Sequence, residues 1–201
     1  MKLLLFSDLH RNQSAAAALV EKSASADVMI GAGDFAVCRQ GVEDCIHVLR
    51  HAHCPAVLVP GNGESQEELQ SACDGWSQAH VLHGTAVQIG GVDFFGVGGG
   101  IPVTPFGSWS WDFSEEEAEQ LIADCPPAAV LISHSPPFGL VDVTSAGDHA
   151  GSRTIREAID KLSPGLVLCG HIHDSWEQQA TFGQTKVINA GPRGVWTRFP
   201  V

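Results

Sequence analysis

Five short apolar runs punctuate this chain: residues 2–6 (Lys-Leu-Leu-Leu-Phe), 27–30 (Asp-Val-Met-Ile), 56–59 (Ala-Val-Leu-Val), 128–132 (Ala-Ala-Val-Leu-Ile) and 166–169 (Leu-Val-Leu-Cys). They do not alternate apolar with polar positions, and turn residues bound them. That pattern predicts strands buried on both faces. Helical patterns fill the gaps. Gln13–Ser23 is Ala-rich, residues 41–51 space their apolar positions helically, and Ile155, Ala158, Ile159 and Leu162 form a further helical stripe. Ser65-x-x-Glu68 and Ser114-x-x-Glu117 match the capping box that marks a helix start. After residue 75 the pattern shifts to short strands, with residues 86–89 and 92–97 joined by the Gly90-Gly91 turn signal. Residues 176–180 and 186–189 read as a further antiparallel pair. No internal repeat, low-complexity tail or linker interrupts this α/β alternation, which predicts one domain over residues 1–201.

The breaks at the ends of the buried runs carry the chemistry. They read Asp8-Leu9-His10, Gly33-Asp34, Gly61-Asn62, His134 and Gly170-His171-Ile172-His173. Taken singly, Asp8 reads as a turn or helix-cap residue, Gly33-Asp34 and Gly61-Asn62 as turn dipeptides and His134 as a loop histidine, and only Gly-His-x-His has some specificity of its own. In open α/β sheets, however, ligand sites gather at the carboxyl ends of strands, so all five can converge. They supply two carboxylates, one amide oxygen and four imidazoles, a donor set suited to Mn, Fe, Zn or Co rather than Ca or Mg. A carboxylate can bridge two ions about 3.5–4 Å apart, as in two-metal hydrolytic sites. The glycines before Asp34, Asn62 and His171 permit tight turns. If the segment is extended, Asp8 and His10 point to one side and reach one ion, and His171 and His173 repeat that geometry.

In this order the motifs resemble the calcineurin-like metallophosphoesterase superfamily, and more specifically a small prokaryotic phosphodiesterase-like member; the resemblance runs from Met1 to about Pro192. It implies a four-layer fold of two packed β-sheets flanked by α-helices. It assigns Asp8, His10, Asp34 and His173 to one metal and Asp34, Asn62, His134 and His171 to a second, with Asp34 bridging. The implied activity is phosphoester hydrolysis, in which a hydroxide bridging two divalent ions attacks phosphorus. One position departs from the family. Gly63 comes after Asn62 where the family usually has a histidine that contacts phosphate and assists the leaving group. A general acid is typically worth ~10²–10⁴-fold. Two residues stand near enough in sequence or chemistry to replace it. Glu64 adjoins Gly63, although an ionised carboxylate repels phosphate unless its pKa is raised; alternatively it only leads into the helix at Ser65. His149 lies in a Gly-rich turn, residues 147–153, ahead of a helix. Free backbone N–H groups there can bind anions, with Ser152 and Arg153 adding a hydroxyl and a positive charge. The simpler alternative is a helix cap with a surface histidine. The missing acid predicts a preference for good leaving groups, such as aryl or nucleoside phosphodiesters. The rival reading is a weak or inactive phosphoesterase-fold protein serving as a binding scaffold.

Composition narrows the setting. A 44% hydrophobic content and a mean hydropathy of +0.06 describe a globular chain. No apolar stretch approaches the ~20 residues of a membrane span, and the run ending at Phe6 is too short for a signal-peptide core, so the expected location is the cytosol. Six cysteines without a Cys-x-x-Cys pair do not suggest a disulfide framework. The net charge of −12 argues against long nucleic acid or an anionic membrane as partner. A small phosphoester remains compatible, because bound divalent ions invert the local field. Residues 98–113 place Phe106, Trp109, Trp111 and Phe113 in a Gly/Pro-rich loop. These rings either stack on a base or aryl group or, as expected here, Trp109 and Trp111 fill space beside the helix starting at Ser114 or form a contact in a homo-oligomer.

Overall fold

A computed structural model describes residues 1–200. The first sheet has the order β11-β1-β2-β3-β4, with β1 (Lys2–Phe6), β2 (Val28–Gly31), β3 (Ala56–Leu58) and β4 (Ala79–Val81) parallel. The last strand, β11 (Val195–Arg198), pairs antiparallel with β1. The second sheet runs β5-β6-β7-β8-β10-β9. Its parallel centre is β6 (Val92–Val97), β7 (Val130–Ser133), β8 (Leu166–Cys169) and β10 (Thr185–Asn189). Antiparallel β5 (Thr85–Ile89) and β9 (Gln179–Phe182) form its edges.

The side-chain alternation of a strand explains the continuous apolar runs. Leu3, Leu5, Val28, Ile30 and Val57 face one way and meet Phe94, Val130, Ile132, Leu168 and Ile188 of the second sheet. Leu4, Phe6, Met29 and Leu58 face the other way, under α1 (Gln13–Ser23), α2 (Val42–Leu49) and α3 (Gln66–Ala72). On the far side, Phe95, Leu131, Val167 and Val187 pack beneath α4 (Glu115–Ile122) and α5 (Arg153–Leu162). Both faces of both sheets are therefore covered, and the result is four layers: helices, sheet, sheet, helices.

Both capping boxes form, with Ser65 and Ser114 as N-caps. Two strands escape the apolar-run reading. β4 has three half-buried residues, and β11 alternates half-buried with exposed positions at a sheet edge. The expected strand at 176–180 begins only at Gln179, because His173–Ser175 forms a 3-10 turn and the chain bends at Glu177 (φ 63°). All six cysteines are free, five of them buried. Among the described residues, no helix is long and apolar enough to cross a membrane.

Candidate metal centre

Parallel pairing aligns the carboxyl ends of β1, β2 and β3, which deliver Asp8, Asp34 and Asn62; β7 and β8 deliver His134 and His171 from the opposing sheet. The ends meet in two groups, Asp8 with His10 and His173, and Asp34 with His134 and His171; ligand atoms within each lie within 4.8 Å of one another. Asp34 faces both. Its Oδ2 is 3.7 Å from His10 Nε2 and its Oδ1 is 3.5 Å from His134 Nε2. Asn62 Oδ1 lies 3.1 Å from His134 Nε2 and 3.1 Å from His171 Nδ1. All seven side chains named from the sequence are thus brought together.

The local geometry that does this is not the extended one expected from Asp-x-His. Asp8, His10, Asp34 and His171 have φ of 54°, 44°, 57° and 66°. The chain turns tightly at each, a conformation uncommon for residues other than glycine. Backbone bonds from Asp8 N to Gly33 O (2.9 Å) and from His10 N to Asp34 O (2.9 Å) hold the two loops together. His171 and His173 likewise do not share a target: the first joins the Asp34 group and the second the Asp8 group.

The donor set fits cations. His134 Nδ1 lies 2.7 Å from Ala32 O and His10 Nδ1 3.3 Å from Ala36 O, so each donates from its rear nitrogen and keeps a lone pair on Nε2. Asn62 Nδ2 donates to Ser110 Oγ (2.9 Å), which turns the amide oxygen inward. His10 Nε2 and His173 Nε2 sit 3.0 Å apart. With its rear nitrogen tied to Ala36 O, His10 points an acceptor at His173 Nε2, and both nitrogens can ligate one divalent ion. Asp8 is also fixed from behind: Ser7 Oγ (2.5 Å) and Trp176 Nε1 (3.0 Å) donate to Oδ2, and His171 N (3.0 Å) to Oδ1.

Charge is distributed to match. Burial works to raise the Asp34 carboxyl, but His134, His10 and the Gly63 N–H outweigh it and hold it below its usual range. Burial, with His134 adding to it, pushes His171 down to about 3 and keeps it neutral. His134 is desolvated too, yet Asp34 and Asp8 carry its pKa above the usual value.

Residues 1–175 match the sequence model of the calcineurin-like phosphoesterases. The chain belongs to that family. Solved structures agree on the fold. TT1561 of Thermus thermophilus superposes with a TM-score of 0.75 at 19% identity, covering 96% of this chain and 90% of that one. Phosphopantetheinyl hydrolase (PptH) from Mycobacterium tuberculosis gives 0.56 at 15%, with 96% and 90% covered. Purple acid phosphatase PPD1 from yellow lupin gives 0.57 at 10%, covering all of this chain and 46% of its own. Identities this low establish shared architecture alone. Comparison with curated protein sequences finds no match.

In this calcineurin-like phosphoesterase, Glu64 does not face the cleft. It is fully buried, and its two oxygens accept from Ala36 N (2.8 Å) and Gly61 N (2.7 Å), tying together the loops that carry Asp34 and Asn62. Burial, then the Asp34 charge, raise its pKa to about 7. Gly61 is needed between them, because a Cβ there would collide with Asp34 Oδ1. Neither Glu64's brace nor Trp176's bond to Asp8 is marked by a motif of its own; both depend on contacts across the chain.

The expected anion site before α5 is corrected. Ser152 is buried and caps α5; its hydroxyl donates to Glu115 Oε2 (2.8 Å) and accepts from Ile155 N (3.2 Å). Glu115 also accepts from Arg153 N (2.8 Å) and Thr154 N (3.0 Å), so this helix terminus already holds a carboxylate of the chain itself. The Arg153 side chain is exposed and lines a neighbouring cavity with His149. His149 Nδ1 bonds Asp142 Oδ1 at 2.6 Å.

The aromatic loop divides. Trp111 packs against Phe113 and His83, with centroids 4.8 Å apart in each pair, in the space-filling role expected of it, whereas Trp109 does not share that role. Phe106 and Trp109 instead stack on each other (5.6 Å, 10°) and line the metal cleft.

Proposed function

We propose that this chain is a two-metal phosphoester hydrolase acting on small phosphodiesters, nucleoside or aryl diesters above all. The observation that carries the reading is Asp34, whose two oxygens face two separate ligand groups. Asp8, His10 and His173 would hold one ion; Asn62, His134 and His171 the other; Asp34 both. Mixed imidazole and oxygen donors suit Mn, Fe, Zn or Co. A pair of such ions supplies Lewis acidity to the phosphoryl oxygens and lowers the pKa of a bound water.

The chain's own residues do the rest. The carbonyls of Ala32 and Ala36 select the histidine tautomers, and Ser110 orients Asn62. His173, exposed beside half-buried His10, leaves the centre open to substrate. Gly63 offers no proton donor and Glu64 has both oxygens committed to backbone, so a proton for the departing alcohol has to come from another residue. Arg153 adds a positive charge at the adjoining cavity for a substrate anion, and His149 is the proton donor on that flank. The named neighbours, a hydrolase and a phosphatase, are consistent with this chemistry.

Metal analysis combined with a panel of mono- and diesters in Mn²⁺, Fe²⁺, Co²⁺ and Zn²⁺ tests the proposal. Near two ions per chain and diester turnover are expected. Bound metal with no turnover on any ester would favour the binding-scaffold reading instead.

A further inference from the structure

The metal cleft opens sideways into a second cavity of about 450 Å³, and Phe106, Thr144, His171 and Ile172 line both. The side cavity differs in character. Pro102, Val103, Pro105 and Phe106 form apolar wall together with Phe138. Among the described residues only six large apolar side chains are exposed, and Val103, Phe106 and Phe138 are three of them. A fourth, Val143, bridges to His149 at the edge of the same cavity. Exposed apolar surface concentrated around one concavity marks a binding site rather than chance scatter.

The polar groups there are few and directed. Asp142 is fully buried; its Oδ2 accepts from Gly139 N (2.9 Å) and Gly151 N (3.0 Å), leaving Oδ1 to hold His149 Nδ1. The imidazole is therefore pinned by one nitrogen, and only Nε2 remains free for a ligand. The Arg153 guanidinium lies 5.4 Å from the Phe138 ring centre and steadies that ring.

We infer that this side cavity is the leaving-group pocket, selecting phosphoesters whose departing alcohol is a flat apolar ring, with Phe138 and Val103 setting specificity and His149 supplying the proton. The inference rests on the hydrolase reading above. As a water molecule, having given up one proton to solvent, bonds through its oxygen to phosphorus, the bond from phosphorus to the ring-bearing oxygen breaks and its electron pair stays on that oxygen. The oxygen takes the Nε2 proton of His149 in its doubly protonated form, leaving a neutral imidazole whose Nδ1–H stays on Asp142 and which regains a proton from solvent. Asp142 acts through His149 and is a positioning residue.

The test compares phenyl, 4-nitrophenyl and methyl diesters of one phosphate as substrates, using metal-loaded wild type, Phe138→Ala, Val103→Asp, His149→Gln and Asp142→Asn. Metal content checks that each variant folds. Phe138→Ala and Val103→Asp are expected to lower the aryl-to-alkyl ratio of kcat/KM roughly 10- to 100-fold. His149→Gln should lower kcat about 100-fold on the phenyl ester and far less on the nitrophenyl ester, with Asp142→Asn steepening the same dependence. Equal losses on aryl and alkyl esters, or a dimer turned to monomer by Val103→Asp with unaltered ratios, would overturn the pocket while leaving the hydrolase intact. Absence of turnover by metal-loaded wild type on every ester would remove the hydrolase reading and this inference with it.

Discussion

Replacing Asp34 by Asn keeps the acceptor for the Gly63 N–H but puts a neutral amide where a charged oxygen faces His10. Bound metal is expected to fall from the proposed two ions per chain to one or none, with turnover lost, as read by metal analysis of the purified variant. Trp176→Phe should act more gently. It removes one donor from Asp8 Oδ2 while Ser7 remains, and a lost supporting bond of this kind costs about 10- to 100-fold in metal affinity, measurable by chelator competition. Glu64→Gln would turn a donor toward one of two backbone N–H groups, leaving a buried clash and an unsatisfied donor worth about 1–3 kcal/mol in a denaturant titration. At this scale the sequence was most legible where one residue type in one place serves one chemistry, as with Asp8, Asp34 and the Gly170-His171-Ile172-His173 run. Trp176 and Glu64 were not legible as supports, because a single tryptophan or glutamate carries no period and its partner lies elsewhere in the chain.

Elements rather than residues decide how the side cavity is held. Glu115 opens α4 yet accepts from Ser152, Arg153 and Thr154 at the start of α5, coupling the two helices. Glu115→Ala should cost about 2 kcal/mol of unfolding free energy, since bonds to a charged acceptor run about 1.5–3 kcal/mol. That partner comes from 37 residues earlier, which is why the segment before α5 read from sequence as an open anion site. His83, between β4 and β5, supports the loop leading to α4. Its Nδ1 accepts from Gly98 N (3.1 Å), and burial lowers its pKa from 6.5 to about 4. Between those values the unfolded chain binds a proton that the folded one refuses, so stability is lost as pH falls from 6.5 toward 4. The difference in unfolding midpoint between wild type and His83→Asn should therefore narrow on acidification; a constant difference would rule out this coupling. The buried strands were readable because both faces are covered, whereas β4 and β11 lacked that double burial.

Across the whole molecule, the centre sits where two sheets packed face to face present their strand ends, so each proposed ion would be gripped from both sides of the principal interface. Ligands that bind only the folded state add RT ln(1 + [L]/Kd), about 2.7 kcal/mol at one hundred times Kd. Chelation is expected to lower the thermal midpoint and Mn²⁺ to restore it, as measured by calorimetry. With a net charge of −12, the surface as a whole repels phosphates, and only a region of locally reversed field can draw them in. Global layering was inferable from the family pattern, but the joining of metal cleft and side cavity depends on loops whose packing has no sequence period. The indole of Trp176 touches Asp8 through its N–H and lies 4.3 Å from the His173 ring, against the proposed ions themselves. Among five tryptophans, the share of emission that Trp176→Phe removes becomes a reporter at the heart of the centre: paramagnetic Mn²⁺ or Co²⁺ quenches an indole at such range, while closed-shell Zn²⁺ leaves it bright, so occupancy and kind of metal can be tracked optically without a label.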